Sequence, residues 1–98
     1  MVYIFIVIHR VLLSRRAVKN LETVPAHVAV KLQAWKDGVE TLGLDEMRKR
    51  PGFHDEPLKG DRKGQRSIRL SLSYRAIYRI VREQVIFVLV EEVNKHEY

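Results

Sequence analysis

Gln65-Arg66-Ser67-Ile68-Arg69-Leu70, Ser71-Leu72-Ser73 and Tyr74-Arg75-Ala76-Ile77-Tyr78-Arg79-Ile80 read as the first arm, the loop and the second arm of a β-hairpin. Both arms alternate with period two, as strands with two unlike faces do. Setting Leu70 opposite Tyr74 across a three-residue loop puts Arg69 directly opposite Arg75 on one face. Like charges in cross-strand opposition destabilise a sheet by a few tenths to about 1 kcal/mol. A chain that keeps them there points to an anion held between them, and phosphate suits a guanidinium pair best.

Beyond the hairpin, Arg82-Glu83-Gln84 reads as a tight connection into a last strand at about 84–92. Its Val85-Ile86-Phe87-Val88-Leu89-Val90 is apolar on both faces, which predicts a central strand with helices on one side and other chain covering part of the second. Upstream, residues 51–64 hold Pro51, Gly52, Pro57, Gly60 and Gly64 and read as a loop. Before that loop, Val28, Leu32, Trp35, Val39 and Leu42 recur at helical spacing and share one face. Pro25 suits the first turn of this helix and Gly43 its end, so Trp35 is expected in the core rather than as a base-stacking platform.

Ser14 is a candidate N-cap for a shorter helix from Arg15 to Glu22, and Leu44 to Arg50 has room for one or two further turns before Pro51-Gly52. Met1 to Ile8 is apolar but lacks the flanks of a secretory signal and is too short to span a bilayer. It reads as a first strand, buried on both faces and continuing through Leu13, with the membership of residues 1–8 in the core left open. The order is strand, helix, helix, strand, strand, strand. The expected fold is α+β, one domain over residues 1–98, with a small, largely antiparallel four-stranded sheet carrying two N-terminal helices on one face.

With 46% hydrophobic and 31% charged residues the chain is globular rather than disordered. It has no cysteine, which excludes disulfides, thiolate nucleophiles and the usual structural zinc sites and fits a cytoplasmic protein. His9, His27, His54 and His96 show no metal-ligand spacing, so neither metal nor cofactor is expected. The net charge of +6 is unevenly spread. Residues 48–82 hold eleven Lys or Arg against three acids, while the rest of the chain is slightly acidic. A basic surface confined to one third of the sequence is the electrostatic footprint of a nucleic-acid binder.

Glu56-Pro57-Leu58-Lys59-Gly60-Asp61-Arg62, Arg66-Ser67-Ile68-Arg69-Leu70, Tyr74-Arg75-Ala76-Ile77-Tyr78 and the tail Lys95-His96-Glu97-Tyr98 occur in this order after a strand and two helices. Together they resemble the RelE/ParE superfamily of bacterial toxins from type II toxin-antitoxin modules, in particular its RelE, YoeB and HigB ribonuclease branch, over nearly the whole chain from about Arg10. The resemblance implies cleavage of messenger RNA, commonly on the ribosome, and neutralisation by a small antitoxin protein. By position it implies that Glu56 matches a catalytic glutamate, Arg69 and Arg75 two catalytic basic residues, His96 a C-terminal catalytic histidine and Tyr98 a terminal tyrosine. Lys95 falls near a basic position of RelE-like members. The chain departs from RelE in having Ser67 where a lysine would stand, and from HigB in having Glu56 rather than histidine before Pro57-Leu58.

Such a set matches what metal-free RNA cleavage needs, because RNA carries its own 2′-hydroxyl nucleophile. Glu56 is the expected general base, with His96 as general acid or the two exchanging roles. Arg69 and Arg75 would clamp the phosphate, and Tyr98 would stack on a base or position the phosphate. Lys59, Arg62, Lys63, Arg66 and Lys95 are expected along the RNA backbone. Two other readings of the same residues remain open: a ParE-like toxin that poisons DNA gyrase without cutting RNA, and a non-catalytic RNA- or ribosome-binding module.

Overall fold

A computed structural model describes residues 7–83 and 85–95 of the chain. The strands are β1 (Val11–Leu13), β2 (Glu56–Pro57), β3 (Arg66–Arg69), β4 (Tyr74–Arg82) and β5 (Ile86–Lys95). The helices are α1 (Arg15–Leu21), α2 (Ala26–Leu42) and α3 (Leu44–Arg48), with single 3-10 turns at Pro51–Phe53 and Gly60–Arg62. The hairpin forms in the predicted register, Arg69 opposite Arg75, and Leu70 N donates to Tyr74 O at 2.9 Å. Ser71 Oγ closes the loop by accepting from the backbone N–H groups of Ser73 and Tyr74.

The sheet has five strands in the order β1-β5-β4-β3-β2, where the sequence predicted four. It is also mixed: β1 runs parallel to β5, with Val11, Leu12 and Leu13 beside Val88, Leu89 and Val90, and the other pairings are antiparallel. The added strand is β2, a two-residue edge pairing in which Glu56 sits opposite Ser67. Proline is tolerated on an edge, where its missing N–H breaks no ladder, and that is why Pro57 did not prevent the pairing. Three helices replace the predicted two, the third being the short α3 that the Leu44 to Arg50 segment allowed.

The sheet's helical face is filled by Ile68, Leu70, Ala76, Tyr78, Val88, Val90 and Val93, packed with Val28, Leu32, Trp35 and Val39 of α2 and Leu44 and Met47 of α3. Trp35 is fully buried against Tyr78, with ring centroids 5.1 Å apart. Leu42 does not extend the apolar stripe and is exposed, because Gly43 at φ 92° turns the chain and Leu44 takes the buried place instead. Gly38 lies where α3 crosses α2, and a Cβ there would meet the Met47 side chain at 2.4 Å. The described part of the first strand is not buried on both faces: Val11 is buried and Leu12 is exposed. Residues 1–6 of that expected strand lie outside the described residues, and residues 7–10 form no strand.

Past Val90, β5 outruns β1, and α1 covers the open edge. Ser14 N donates to Val90 O, and Ser14 Oγ both accepts from Ala17 N as N-cap and donates to Glu91 O at 2.6 Å. Asn20 Oδ1 accepts from Val93 N at 3.0 Å. Replacing Ser14 by alanine removes a cap and an edge bond together, so the expected loss is about 1–2 kcal/mol, read as a lower urea midpoint at unchanged m-value. On the face away from the helices, residues 58–65 fold over the sheet. Arg62 reaches Glu92 and Gln65 reaches Glu91, both on β5. This loop is the cover predicted for the second face of the last strand. No helix among the described residues is long and apolar enough to cross a membrane.

Candidate active site

Side-chain alternation carries Glu56 on β2, Ser67 and Arg69 on β3 and Arg75 on β4 to the sheet face opposite the helices, in register across three strands. There they line one cleft of about 210 Å³ together with His54, Ser71, Leu72 and Tyr74. That is smaller than the roughly 300–1,000 Å³ of small-molecule sites. It matches a single charged group on a longer ligand better than a whole metabolite. The two opposed guanidiniums that line it supply a positive charge with forked donors.

Asp55 holds Glu56 in place. Its side chain is fully buried and accepts from Arg66 Nε and from Tyr78 OH, each at 2.6 Å. Asp55 points into the core, and its neighbours His54 and Glu56 both line the cleft. His54 adopts a left-handed backbone at φ 46°, and its Nε2 lies 3.6 Å from Glu56 Oε2. Burial and the hydrogen bond to Asp55 push the Tyr78 phenol well above its ordinary range, so the hydroxyl stays protonated and donating. Arg66 is also raised: desolvation opposes its charge, and the hydrogen bond and charge of Asp55 together with Tyr78 outweigh it.

A second network holds Arg75. Glu92, buried on β5, takes ion pairs from Arg16 and Arg62 at 3.2 Å each and accepts from the Asn94 amide. Asn94 Oδ1 in turn accepts from Arg75 Nε at 3.3 Å. A β-bulge between Ile77 and Tyr78 makes this possible by adding one residue on β5, so that Glu91 meets Arg79 while Glu92 faces Ile77.

Of the cations expected along RNA, Lys59, Lys63 and Lys95 are exposed, whereas Arg62 and Arg66 are committed to Glu92 and Asp55. Lys95, opposite Tyr74 at the end of β5, does not line the cleft. His96 and Tyr98 lie outside the described residues. Among the described residues no group of His, Asp or Glu side chains could hold a metal ion.

No family model and no curated protein matches the sequence. Solved structures do. YafQ from E. coli strain BL21(DE3) superposes with a TM-score of 0.70 over 90% of this chain and 93% of YafQ, at 16% identity. The toxin-antitoxin complex RelBE2 from Mycobacterium tuberculosis gives 0.65 over 92% of this chain and 100% of the matched one, at 24% identity. The fold is that of the RelE/ParE toxins. A YoeB/ParE toxin from Agrobacterium tumefaciens has the same RelE/ParE fold, with a TM-score of 0.64 at 19% identity over 90% of this chain and 99% of its own.

In this RelE/ParE fold the sequence-derived trio of Glu56, Arg69 and Arg75 converges. The supporting residues were not singled out beforehand. Nothing local in the sequence marks Asp55 and Glu92, whose partners lie 11 and 30 residues away along the chain. The signal for His54 is its place only two residues before Glu56 in the sequence.

Proposed function

We propose that this protein is a toxin endoribonuclease that cleaves messenger RNA, in association with the ribosome, and is neutralised by a small antitoxin. The observation that carries the reading is the convergence of Glu56, Arg69 and Arg75 in one cleft. In the proposed reaction Glu56 removes the 2′-hydroxyl proton and the 2′-oxygen attacks the adjacent phosphorus. Arg69 and Arg75 hold the non-bridging oxygens as negative charge builds, and the 5′-oxygen leaves with a proton from His96. The products are a 2′,3′-cyclic phosphate and a 5′-hydroxyl end. Lys59 and Lys63 track the RNA backbone, with Lys95 at the end of β5 and Tyr98 positioning a base. Arg62 and Arg66 contribute through Glu92 and Asp55 rather than as free cations.

The antitoxin reading is supported by the solved neighbours, among which are the toxin-antitoxin complex RelBE2 and the DinJ-YafQ toxin-antitoxin complex of E. coli. The basic surplus over residues 48–82 suits an acidic partner segment. Such a pair would act in the cytoplasm, where translated messages are found.

The deciding experiment maps RNA ends after brief induction and repeats the cut in vitro on an oligonucleotide with a single 2′-deoxy substitution at the cleavage site. Codon-phased breaks in the cell and complete loss of cutting at the deoxy position are expected. Continued cutting there would remove the proposed nucleophile, and toxicity with no RNA breaks would return the molecule to the gyrase-poison class.

A further inference from the structure

Among the titratable side chains in the cleft, His54 has no part in the reaction as written above. Its Nε2 stands 3.6 Å from Glu56 Oε2, with both side chains little more than half exposed. The placement is built rather than incidental. Buried Asp55, gripped by Arg66 and Tyr78, anchors the chain between His54 and Glu56, which both line the cleft, and the left-handed backbone at φ 46° is one that histidine adopts more readily than most side chains. At 3.6 Å the two groups are not yet hydrogen-bonded, and a side-chain shift of about half an ångström makes them so.

Resting on the nuclease reading of the cleft, we infer that His54 and Glu56 form a proton-transfer dyad in which the imidazole Nε2 holds the proton that the carboxylate lifts from the 2′-hydroxyl. Imidazoles as a class bind a proton about two pK units, or roughly 100-fold, more tightly than glutamates. A proton taken up by Glu56 can pass to the imidazole beside it, and the carboxylate is then restored for the next turnover. The balance is simple. The 2′-O–H bond breaks and the 2′-O–P bond forms, the P–O5′ bond breaks, and the 2′ proton ends on His54 Nε2. The departing 5′-oxygen takes its proton from a separate donor across the cleft. His54 cannot be that donor, because it shares a side with Glu56 and the leaving oxygen of an in-line displacement exits on the opposite one.

Other charged and titratable groups face the pair from each neighbouring element. Arg69 comes from β3, Arg75 and Tyr74 from β4. Behind the strand lie Asp55, Arg66 and Tyr78, with Arg48 near the phenol. Lys31 of α2 is held on Gly52 O at 3.1 Å and over the Phe53 ring. Imidazole is the only one of these side-chain types that ordinarily changes charge around neutral pH.

The test is the pH dependence of RNA cleavage by the intact protein, from about pH 5 to 8 where imidazoles titrate, in wild type, His54→Gln, Glu56→Gln, the double variant and His96→Gln. In wild type the profile is bell-shaped, with a rising limb from the dyad and a falling limb from the general acid His96. In His54→Gln the rising limb disappears and the plateau falls about 10- to 100-fold, part of the usual acid-base contribution. The double variant is no slower than Glu56→Gln alone, as expected of residues that act as one unit. His96→Gln keeps the rising limb. A limb that survives in His54→Gln, or losses that multiply in the double variant, overturns the dyad and leaves the nuclease standing. Absence of any 2′-hydroxyl-dependent cutting by wild type overturns both.

Discussion

Arg75→Ala is expected to lower RNA cleavage about 100- to 1,000-fold, the range seen when one preorganised donor to a developing oxyanion is removed. The expectation follows from placement. Arg75 is opposed by Arg69, and its Nε is held on Asn94, which Glu92 fixes in turn, so the guanidinium is aimed before substrate arrives. The same substitution relieves a like-charge opposition that costs a few tenths to about 1 kcal/mol. Thermal stability should therefore stay level or rise slightly as activity collapses. Arg75→Lys keeps the charge without the fork and should recover only part of the rate. The measurement pairs a cleavage assay with a urea titration of each variant. Undiminished cleavage by Arg75→Ala would remove the phosphate clamp, and a marked loss of stability would show that the arginine holds the sheet rather than the substrate.

The second large effect concerns Asp55. Asp55→Ala is expected to cost about 3–5 kcal/mol, because removing one partner of a buried pair leaves the other without compensation. Arg66 would face the core unpaired and the Tyr78 hydroxyl would lose its acceptor. Cleavage should fall as well, since Asp55 anchors the chain between His54 and Glu56. A loss below about 1 kcal/mol, the worth of an ordinary hydrogen bond, would contradict the arrangement. The same cluster sets an alkaline limit. Tyr78 has its proton affinity raised in the folded state, so its contribution is intact below the ordinary phenol value of about 10 and is lost as pH climbs above it. In that range wild type should lose stability with pH more steeply than Tyr78→Phe, by up to about 1.4 kcal/mol per unit.

Much of this was legible from local pattern. The hairpin and the facing of Arg69 and Arg75 follow from period-two alternation and loop length, and both are local properties. The α2 stripe placed Val28, Leu32, Trp35 and Val39 in the core, and failed only at Leu42, where Gly43 turns the chain. The pairings that local pattern does not encode went unread. β1 finds its parallel partner in β5 across almost the whole chain, and β2 is two residues long with a proline in it. Similarly, the basic run read as free surface charge, although Arg62 and Arg66 each have an acid partner distant in sequence. Charge counts show how many cations a segment has but not which of them are already paired.

The strand order carries a further consequence for how the chain is made. β5 is the last strand in sequence yet lies inside the sheet, between β1 and β4, and its early partner β1 waits at Val11–Leu13. Closing that ring of contacts spans almost the full chain, and such high contact order slows folding because entropy is spent before the contacts form. During synthesis the emerging polypeptide can fold α2 and the β3–β4 hairpin early, but it cannot unite the two ends until residues 86–95 have left the ribosome. Until then Asn94 and Glu92 are missing and Arg75 has nothing to aim it, and an interrupted chain exposes an unpaired β4 edge to aggregation and proteolysis.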